Sequence, residues 1–303
     1  MRAAVITCYF NAMNYASRVA NFKRFAKRLK DQHVPLFTIE ALFPGQQSEL
    51  AGQGNVMSVQ CNTVLWQKES LLNLLIRNLD PKIKAVVWCD ADILFENPHW
   101  HRQLCRKLDR YPVVQPFSQV VRLPRGKTRY VRAGECYDSF AAIYANQPQV
   151  MLKGDFARHG HTGFAWAARR EVIAEHGLYD AMIAGSGDHV MAHAFAGDFS
   201  SRCIRRILAD NPHHISHFQE WARAVYPAVR GRIAALPGRI LHLWHGETEN
   251  RRYVERNREL AAMGFNPHRD LVRDGNRLWS WRRKRHRLTD WAMQYFAHRR
   301  EDG

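Results

Sequence analysis

Two aspartates, Asp90 and Asp92, follow an apolar run and are the side chains best placed to do chemistry. Residues 85–89 are nearly all apolar, which is typical of a strand covered on both faces of a parallel sheet. Such sheets bind ligands at the carboxyl ends of their strands, and Pro98 soon turns the chain out of regular structure. Carboxylates there suit Mg²⁺ or Mn²⁺, which often share their coordination with substrate phosphates. The segment therefore predicts a metal site for a phosphate-bearing substrate, with an ordinary capped turn as the alternative.

Two histidines, His242 and His245, form a second candidate cluster, in and just after a strand predicted over Arg239–Leu243. Their separation is odd, so an extended chain would point them in opposite directions. We therefore expect only one of them to face the site. Local hydrogen bonding, without any metal, is the alternative for both.

A third cluster surrounds Asp188, which follows two glycines, Gly185 and Gly187. The glycines would let the backbone approach a ligand closely. An aspartate near the start of a helix can also be an ordinary cap. Asp188 is thus a candidate reactive carboxylate with a structural alternative.

The elements that must position these residues alternate between strands and helices, because apolar runs alternate with segments of helical periodicity. The predicted strands are Ala3–Thr7, Val34–Ile39, Ala85–Cys89, Val113–Phe117 and Arg239–Leu243. The predicted helices, two of them opening on glycine turns, are Ser17–Lys30, Lys68–Asn78, Trp100–Leu108, Gly163–His176, Gly185–Ala196 and Arg251–Met263. This alternation predicts an α/β fold with a mostly parallel sheet.

The composition excludes a disordered chain, since 46% of the 303 residues are hydrophobic and 11% are aromatic. A formal net charge of +17 favours polyanionic partners such as nucleic acid, acidic glycan or an anionic membrane surface. The alternative is an arginine-rich composition that reflects no binding partner. The six cysteines are scattered and lack the paired spacing of metal ligands. The first residues resemble a strand, and no apolar run reaches the roughly 18 residues of a membrane-spanning helix. We therefore expect reduced thiols and a cytoplasmic protein without a membrane span.

Two basic segments stand outside this pattern. The first is too polar for the core and carries Arg122, Arg125, Lys127, Arg129, Tyr130 and Arg132. It suits phosphates on an acceptor, or it is a plain solvated loop. The second, Ser280–Arg300, combines aromatic and basic residues as a basic amphipathic helix does. We expect it to pack on the domain or on an anionic surface, such as the inner face of a membrane.

The order of these clusters resembles the GT-A-fold nucleotide-sugar glycosyltransferases, particularly the family-two-like bacterial and phage enzymes. Trp88–Asp92 is similar to the strand that ends in Asp-x-Asp, Gly163–Arg170 to a glycine–aromatic–Arg–Arg segment, and Gly185–Asp188 to the element that supplies the acid. The resemblance covers about residues 1–275. The chain departs from the family in its single Asp188, where many relatives have paired acids, and in its basic tail beyond Trp279.

The resemblance implies a GT-A-like fold with a central, mostly parallel sheet flanked by helices and a basic C-terminal helical appendage. We expect a domain over 1–275, with a nucleotide-sugar donor half at 1–117 and an acceptor half at 118–275, and a tail at 276–303.

The resemblance also implies roles for individual residues. Asp92 would bind Mn²⁺ or Mg²⁺, with Asp90 supporting the metal or the ribose and His242, or less readily His245, completing the metal shell. Asp188 would be the general base of a reaction that inverts the anomeric centre. The candidate contacts for the donor, a UDP-sugar by preference, are Thr7, Tyr9, Asn11, Asn14, Gln67 and Lys68. The candidate acceptor contacts are Trp166, Arg125, Lys127, Arg129 and Arg132.

Two acceptors fit the positive charge: a phosphorylated cell-envelope glycan such as lipopolysaccharide, or DNA bearing a hydroxymethylated base. Two other protein classes also remain. A nucleotidyltransferase would share the Asp-x-Asp metal site, but it would be expected to bring a glycine- and lysine-rich phosphate loop near the first strand, and Cys8–Tyr15 has neither residue. A non-catalytic nucleic-acid-binding protein would leave Asp90, Asp92 and Asp188 without a role.

Overall fold

The computed structural model describes residues 2–130, 135–156, 158–283 and 286–303. Its strands, in chain order, are Ala3–Phe10 (β1), Leu36–Leu42 (β2), Asn55–Gln60 (β3), Ala85–Cys89 (β4), Ile93–Phe95 (β5), Val113–Gln115 (β6), Gln119–Arg122 (β7), Glu135–Asp138 (β8), Ala165–Arg169 (β9), Ile233–Ala235 (β10), Arg239–His242 (β11), Leu271–Arg273 (β12) and Trp279–Trp281 (β13). Its α-helices are Ala16–Asp31 (α1), Lys68–Asn78 (α2), Trp100–Leu108 (α3), Phe140–Asn146 (α4), Arg170–Ala174 (α5), Gly187–Ala196 (α6), Arg202–Ile207 (α7), Pro212–Val229 (α8), Glu255–Ala262 (α9), Pro267–Asp270 (α10) and His286–His298 (α11). Short 3-10 helices cover Pro148–Lys153 and Glu249–Arg251.

Seven of the described strands form the central sheet, in the order β10-β6-β9-β4-β1-β2-β3. Neighbouring strands are parallel except at β9, which runs antiparallel to both β4 and β6. The helices α1 and α3 contribute to the core on one face, and α2 and α6 to the core on the other. The predicted α/β class, a mostly parallel sheet flanked by helices, is confirmed.

Burial on both faces explains why the strand before Asp90 is uniformly apolar. Val86 and Trp88 belong to the core cluster on the α2 side, whereas Ala85 and Val87 pack with residues of α1 and α3. Every residue of β4 is buried. A polar side chain in β4 would therefore lose its hydration on either face, and the first carboxylate appears only where the strand ends.

A second sheet, in the order β5-β11-β7-β8, places the histidines beside the aspartates. β5 follows Asp92 directly and pairs antiparallel with β11, so that His242 lies opposite Ile93. The amide of Leu243 donates to the carbonyl oxygen of Asp92 at 2.8 Å. The pairing thus brings two segments that are distant in sequence to one edge of the cleft.

The prediction of a glycine turn and helix over Gly163–His176 was wrong for its first half. Residues 165–169 form β9, and only Arg170–Ala174 is helical. Alanine favours helices in isolation, but this run fills the gap between β4 and β6 and is buried on both faces. Backbone pairing and burial outweigh a helix propensity of less than about 1 kcal/mol per residue.

Other elements also begin or end at residues that differ from the predictions. β1 continues to Phe10 instead of ending at Thr7, and Trp281 lies in β13 rather than in the last helix, which starts at His286.

The apolar side of α11 is buried against the domain, with Leu288 fully buried and Tyr295 and Phe296 each 4% exposed. Packing on the domain, the first of the two expectations for this segment, is confirmed. Among the described residues we find no helix that combines the length and the apolar character needed to cross a bilayer.

Candidate active site

A cleft of about 800 Å³ opens where β1 and β4 end. Its walls include the end of β1, the start of α6 and the segment after β11. The candidate residues that line it are Tyr9, Lys68, Asp90, Asp92, Asp188, His242 and His245. The three clusters singled out in the sequence therefore meet in one place.

Asp92, His242 and His245 converge on a common point. The Nε2 atoms of the two histidines are 2.9 Å apart, and His245 Nε2 is 3.0 Å from Asp92 Oδ2. The expectation that only one histidine would face the site was wrong. β11 ends at His242, so strand alternation does not extend to His245, and the following turn brings the second ring back.

This geometry fits a divalent metal ion. Neighbouring ligands of an octahedral ion bound at about 2.1 Å lie about 3.0 Å apart. Two of the separations here are close to that value, and the third, from His242 Nε2 to Asp92 Oδ1, is 3.7 Å. Asp92 Oδ1 is buried and has no hydrogen-bond partner in the described structure. Burial by itself would raise the pKa of Asp92, but His245 beside it holds that pKa below its usual range. Burial keeps the pKa of His242 well below its ordinary value. Asp92 and His242 are therefore both in the unprotonated form that a metal requires.

Asp90 lies apart from this group and pairs with a lysine. Lys68 Nζ is 2.6 Å from Asp90 Oδ1 and 2.6 Å from Asp188 Oδ2, so one buried ammonium joins two carboxylates. Burial alone would lower the pKa of Lys68, but Asp188 and Asp90 hold it well above its ordinary value. Burial raises the pKa of Asp90 to about 6, against the opposing effect of Lys68. The lysine is therefore charged and orients both acids.

Asp188 lines the cleft and has one carboxylate oxygen without a hydrogen-bond partner among the described residues. It lies in the first turn of α6, and its Oδ2 accepts from Lys68 while Oδ1 is buried without a partner among the described residues. Gly187 before it is required by close packing, because a Cβ there would collide with the carboxylate of Glu69. Glu69 is itself 1% exposed, and burial raises its pKa to about 8. Hydrogen bonding to Lys68 rather than to a helix amide favours the reactive interpretation of Asp188 over the cap.

Several expected donor contacts instead serve the scaffold. Tyr9 lines the cleft, but its hydroxyl donates to Glu49. Outside the lining of the cleft, Thr7 donates to the carbonyl of Cys89 at 2.8 Å, and Gln67 exchanges hydrogen bonds with the backbone of Trp279. The two asparagines bond within and around the loop after β1, Asn11 to Tyr15 and Glu49 and Asn14 to Gln46.

The expected acceptor contacts are more dispersed. Trp166 is 1% exposed within β9, does not line the cleft, and donates to the carbonyl of Thr162. Arg125 stacks over Trp244 and donates to the carbonyl of Asp302, and Lys127 and Arg129 are exposed. Arg132 lies outside the described residues. Arg122 does line the cleft, where it contacts His161 and Thr248.

The sequence reasoning missed the contribution of the last residues to this cleft. Glu301 is fully buried beside His245, with Arg18 Nε at 2.6 Å and Arg299 Nε at 2.7 Å. Arg251 and Arg256 line the same wall. No local pattern could have indicated this, because Arg18 and Glu301 belong to opposite ends of the chain and only the docking of α11 brings them together.

No family model and no curated protein matches the sequence. Similar solved structures include the catalytic domain of Drosophila β1,4-galactosyltransferase 7 with xylobiose, at 12% identity and a TM-score of 0.34 over 63% of this chain and 60% of that one. Another is glucosyl-3-phosphoglycerate synthase from Mycobacterium tuberculosis with Mn²⁺, UDP-glucose and phosphoglyceric acid, at 15% identity and a TM-score of 0.42 over 90% and 84%. A third is a putative glucose-1-phosphate thymidylyltransferase from Bacillus anthracis, at 8% identity and a TM-score of 0.37 over 86% and 95%.

The similar structures are thus glycosyltransferases and a nucleotidyltransferase, the two enzyme classes weighed from the sequence. The chain spans only about 60% of the length of the galactosyltransferase.

Proposed function

We propose that this protein is a metal-dependent glycosyltransferase that moves a sugar from a nucleotide-diphosphate sugar to a hydroxyl of a polyanionic acceptor. The observation that carries the proposal is the arrangement of two groups in one cleft. Asp92, His242 and His245 are grouped so that they could hold a metal ion, and Lys68 holds one oxygen of Asp188 while the other has no partner in the described structure. The cleft volume of about 800 Å³ is in the range of cofactor sites, typically about 300–1,000 Å³.

The side chains divide the work of such a transfer. Asp92, His242 and His245 would hold Mn²⁺ or Mg²⁺, which as a Lewis acid stabilises the charge on the departing diphosphate. Three protein ligands leave other positions open for phosphate oxygens. Asp90, beside Lys68, would face the ribose or support the ion. The GT-A resemblance of the sequence supports the same assignment.

Asp188 would accept the proton from the acceptor hydroxyl as that oxygen attacks the anomeric carbon. A general base must lie within hydrogen-bond reach of the proton that it takes, and Asp188 lines the cleft with one oxygen, Oδ1, that no described residue binds. Lys68 holds the opposite oxygen, so the free one keeps its direction. A single displacement on the face opposite the leaving diphosphate inverts the anomeric centre.

The acceptor class rests on charge. Arg122 in the cleft, and Arg125, Lys127 and Arg129 in the exposed segment beyond it, would bind phosphates on the acceptor. A phosphorylated glycan and DNA with a hydroxymethylated base both fit. A membrane-surface role for 281–300 has less support, because most of the large apolar residues of α11, including Leu288, Tyr295 and Phe296, are buried.

The test is thermal stabilisation by UDP-, GDP-, CMP- and TDP-sugars with and without Mn²⁺, for wild type, Asp92→Asn and the exposed control Asp109→Asn. A donor that binds the native state raises its stability by mass action, about 2.7 kcal/mol at 100 times its Kd. We expect one nucleotide to stabilise wild type and Asp109→Asn only with metal, and not Asp92→Asn.

Product analysis separates the alternatives. Release of a nucleoside diphosphate from the sugar nucleotide supports glycosyl transfer. Release of pyrophosphate from a nucleoside triphosphate and a sugar phosphate would instead support a nucleotidyltransferase. Stabilisation by DNA alone, with no response to any donor, would replace the proposal with a binding protein.

A further inference from the structure

A second group of metal-ligating side chains lies outside the Asp92 triad. It consists of His159, His189, His193 and Cys203, called here the histidine–cysteine cluster. All four residues are buried, with exposures of 3%, 7%, 0% and 0%. One nitrogen or sulfur atom from each lies within 4.8 Å of the others. The sequence analysis attached no chemistry to any of them.

Three separate elements supply this cluster. His189 and His193 are one turn apart on α6, so they share a face of that helix. Cys203 lies in the first turn of α7, and His159 comes from the loop before β9. His189 and His193 have the His-x3-His spacing found in metal sites, whereas His159 and Cys203 lie outside any short ligand motif.

The hydrogen bonds of two histidines leave their inner nitrogens free. His193 Nδ1 is 2.7 Å from Asp198 Oδ2, and His159 Nδ1 is 2.7 Å from the carbonyl oxygen of Gly160. Because a carbonyl and a carboxylate only accept, each Nδ1 atom carries a proton, and Nε2 is the nitrogen that holds the lone pair in the neutral ring. Each of these Nε2 atoms is buried without a partner in the described structure.

Asp198 is fixed for this orienting role. Its Oδ2 also accepts from the hydroxyl of Ser201 at 2.6 Å, and its Oδ1 accepts from the amides of Ser200 and Ser201. Burial alone would raise the pKa of Asp198, but the contact with His193 holds it below its usual value. A histidine that donates one ring nitrogen to a fixed carboxylate while the other faces inward is the usual outer-shell arrangement of metal ligands.

The remaining contact matches a tetrahedral ion. His189 Nε2 lies 3.3 Å from Cys203 Sγ. In a tetrahedral zinc site with Zn–N near 2.05 Å and Zn–S near 2.3 Å, neighbouring ligand atoms are about 3.4 to 3.6 Å apart. We propose that His159, His189, His193 and Cys203 bind a structural Zn²⁺ ion.

The donor set selects the metal. Three imidazoles and a thiolate suit zinc, and the absence of carboxylate ligands disfavours Mg²⁺ and Mn²⁺. On binding, Cys203 loses its thiol proton to solvent and the sulfur electron pair forms the Zn–S bond, so that one proton is released for each ion bound. In the metal-free protein, burial raises the pKa of this thiol to about 12 and lowers the pKa of His159 to about 4.

The ion would tie α6 to α7 and to the loop before β9. His189 directly follows Asp188, so the ion would also hold the first turn of α6 in place at the edge of the cleft. The zinc proposal does not depend on glycosyl transfer, since it concerns different side chains and a different metal.

The experiment measures zinc content and a cobalt spectrum of the full chain. Wild type, purified with zinc and dialysed, should retain about one zinc per chain. Replacement by Co²⁺ should give visible bands of a tetrahedral ion and a near-ultraviolet thiolate-to-cobalt band. Cys203→Ser should lose the thiolate band, whereas Cys61→Ser, a matched buried cysteine, should keep it. Asp92→Asn should keep it as well, because the triad is a separate site.

A second pair of variants distinguishes the loss of a zinc ligand from general misfolding. His159→Gln should lose zinc and melt at a lower temperature, and removal of zinc by a chelator should lower the melting temperature of wild type. His214→Gln changes another buried histidine with an unpartnered Nε2 and should retain zinc. The proposal is overturned if folded wild type binds no stoichiometric zinc, if chelation leaves its melting temperature unchanged, or if zinc persists in both cluster variants.

Discussion

At the scale of single residues, Lys68 is the most consequential charge in the cleft. Its side chain is 6% exposed and forms ion pairs with both Asp90 and Asp188. We expect Lys68→Met to lower the free energy of unfolding by at most about 3–5 kcal/mol, because it leaves two partly buried carboxylates, 30% and 13% exposed, without their counter-charge. Urea unfolding at pH 7 would measure the change.

The matched control is Lys27→Met, which breaks an ion pair with Asp31 whose side chains are 73% and 55% exposed. Exposed pairs of this kind contribute about 0–1 kcal/mol. Equal effects of the two variants would contradict the role given to Lys68.

Glu69 supplies a pH dependence of stability. Its folded-state pKa of about 8 lies above its ordinary value of 4.5, so the native protein holds a proton that the unfolded chain releases between these pH values. The resulting stabilisation is complete below pH 4.5 and is lost as the pH rises toward 8.

Glu69→Gln removes this titration. Its stability relative to wild type should therefore rise with pH between pH 5 and 8, by at most about 1.4 kcal/mol per pH unit. Melting temperatures across that range would show the effect, and Glu175→Gln, whose side chain is 84% exposed in the parent, should show none. A constant difference between Glu69→Gln and wild type would mean that Glu69 is ionised throughout.

Asp188 is tested by an isosteric change. Asp188→Asn keeps an oxygen for Lys68 but cannot accept a proton, so turnover should fall by about 10² to 10⁴. Stabilisation by the donor and Mn²⁺ should survive, because the metal triad is unchanged. If the variant retained turnover, the general base would have to be another residue.

At the scale of elements, the docking of α11 completes the cleft. Leu288 is fully buried, whereas Met293 on the same helix is 43% exposed. We expect Leu288→Ala to cost about 2–5 kcal/mol and Met293→Ala less than about 0.5 kcal/mol in urea unfolding. Similar small costs for both would show that α11 is not held against the domain.

The pairing of β5 with β11 has a comparable effect on the metal triad. It places the end of one strand beside the start of another, and the turn after β11 then brings in His245. Neither histidine needs a special local conformation for this. The site is assembled by strand register, which a local sequence pattern does not encode.

At the scale of the whole molecule, the net charge of +17 predicts salt-sensitive binding to polyanions. Replacing Arg125, Lys127 and Arg129 by alanine should reduce the slope of log K against log salt for duplex DNA by about 2 to 3, if each contacts one phosphate. Replacing three exposed lysines of α1, Lys23, Lys27 and Lys30, removes the same charge. Equal slopes for the two triple variants would indicate a general charge effect and no acceptor-binding segment.

The sequence by itself determined the elements whose signals are local. The boundaries of α2, α3 and β4 agree with the predictions, because helical periodicity and a run buried on both faces are visible within one segment. The position of Asp92 at the end of β4 follows from the same pattern, and so does the α/β class.

The tertiary structure alone decided what depends on distant partners. Residues 165–169 became a strand because two other strands flank them, and His245 faces Asp92 because it lies beyond the end of β11, where strand alternation no longer applies. Glu301 reached Arg18, and Cys203 reached His189, through the packing of whole helices. Such contacts depend on strand register and on helix packing between segments that are distant in sequence. A short stretch of neighbouring residues does not contain that information.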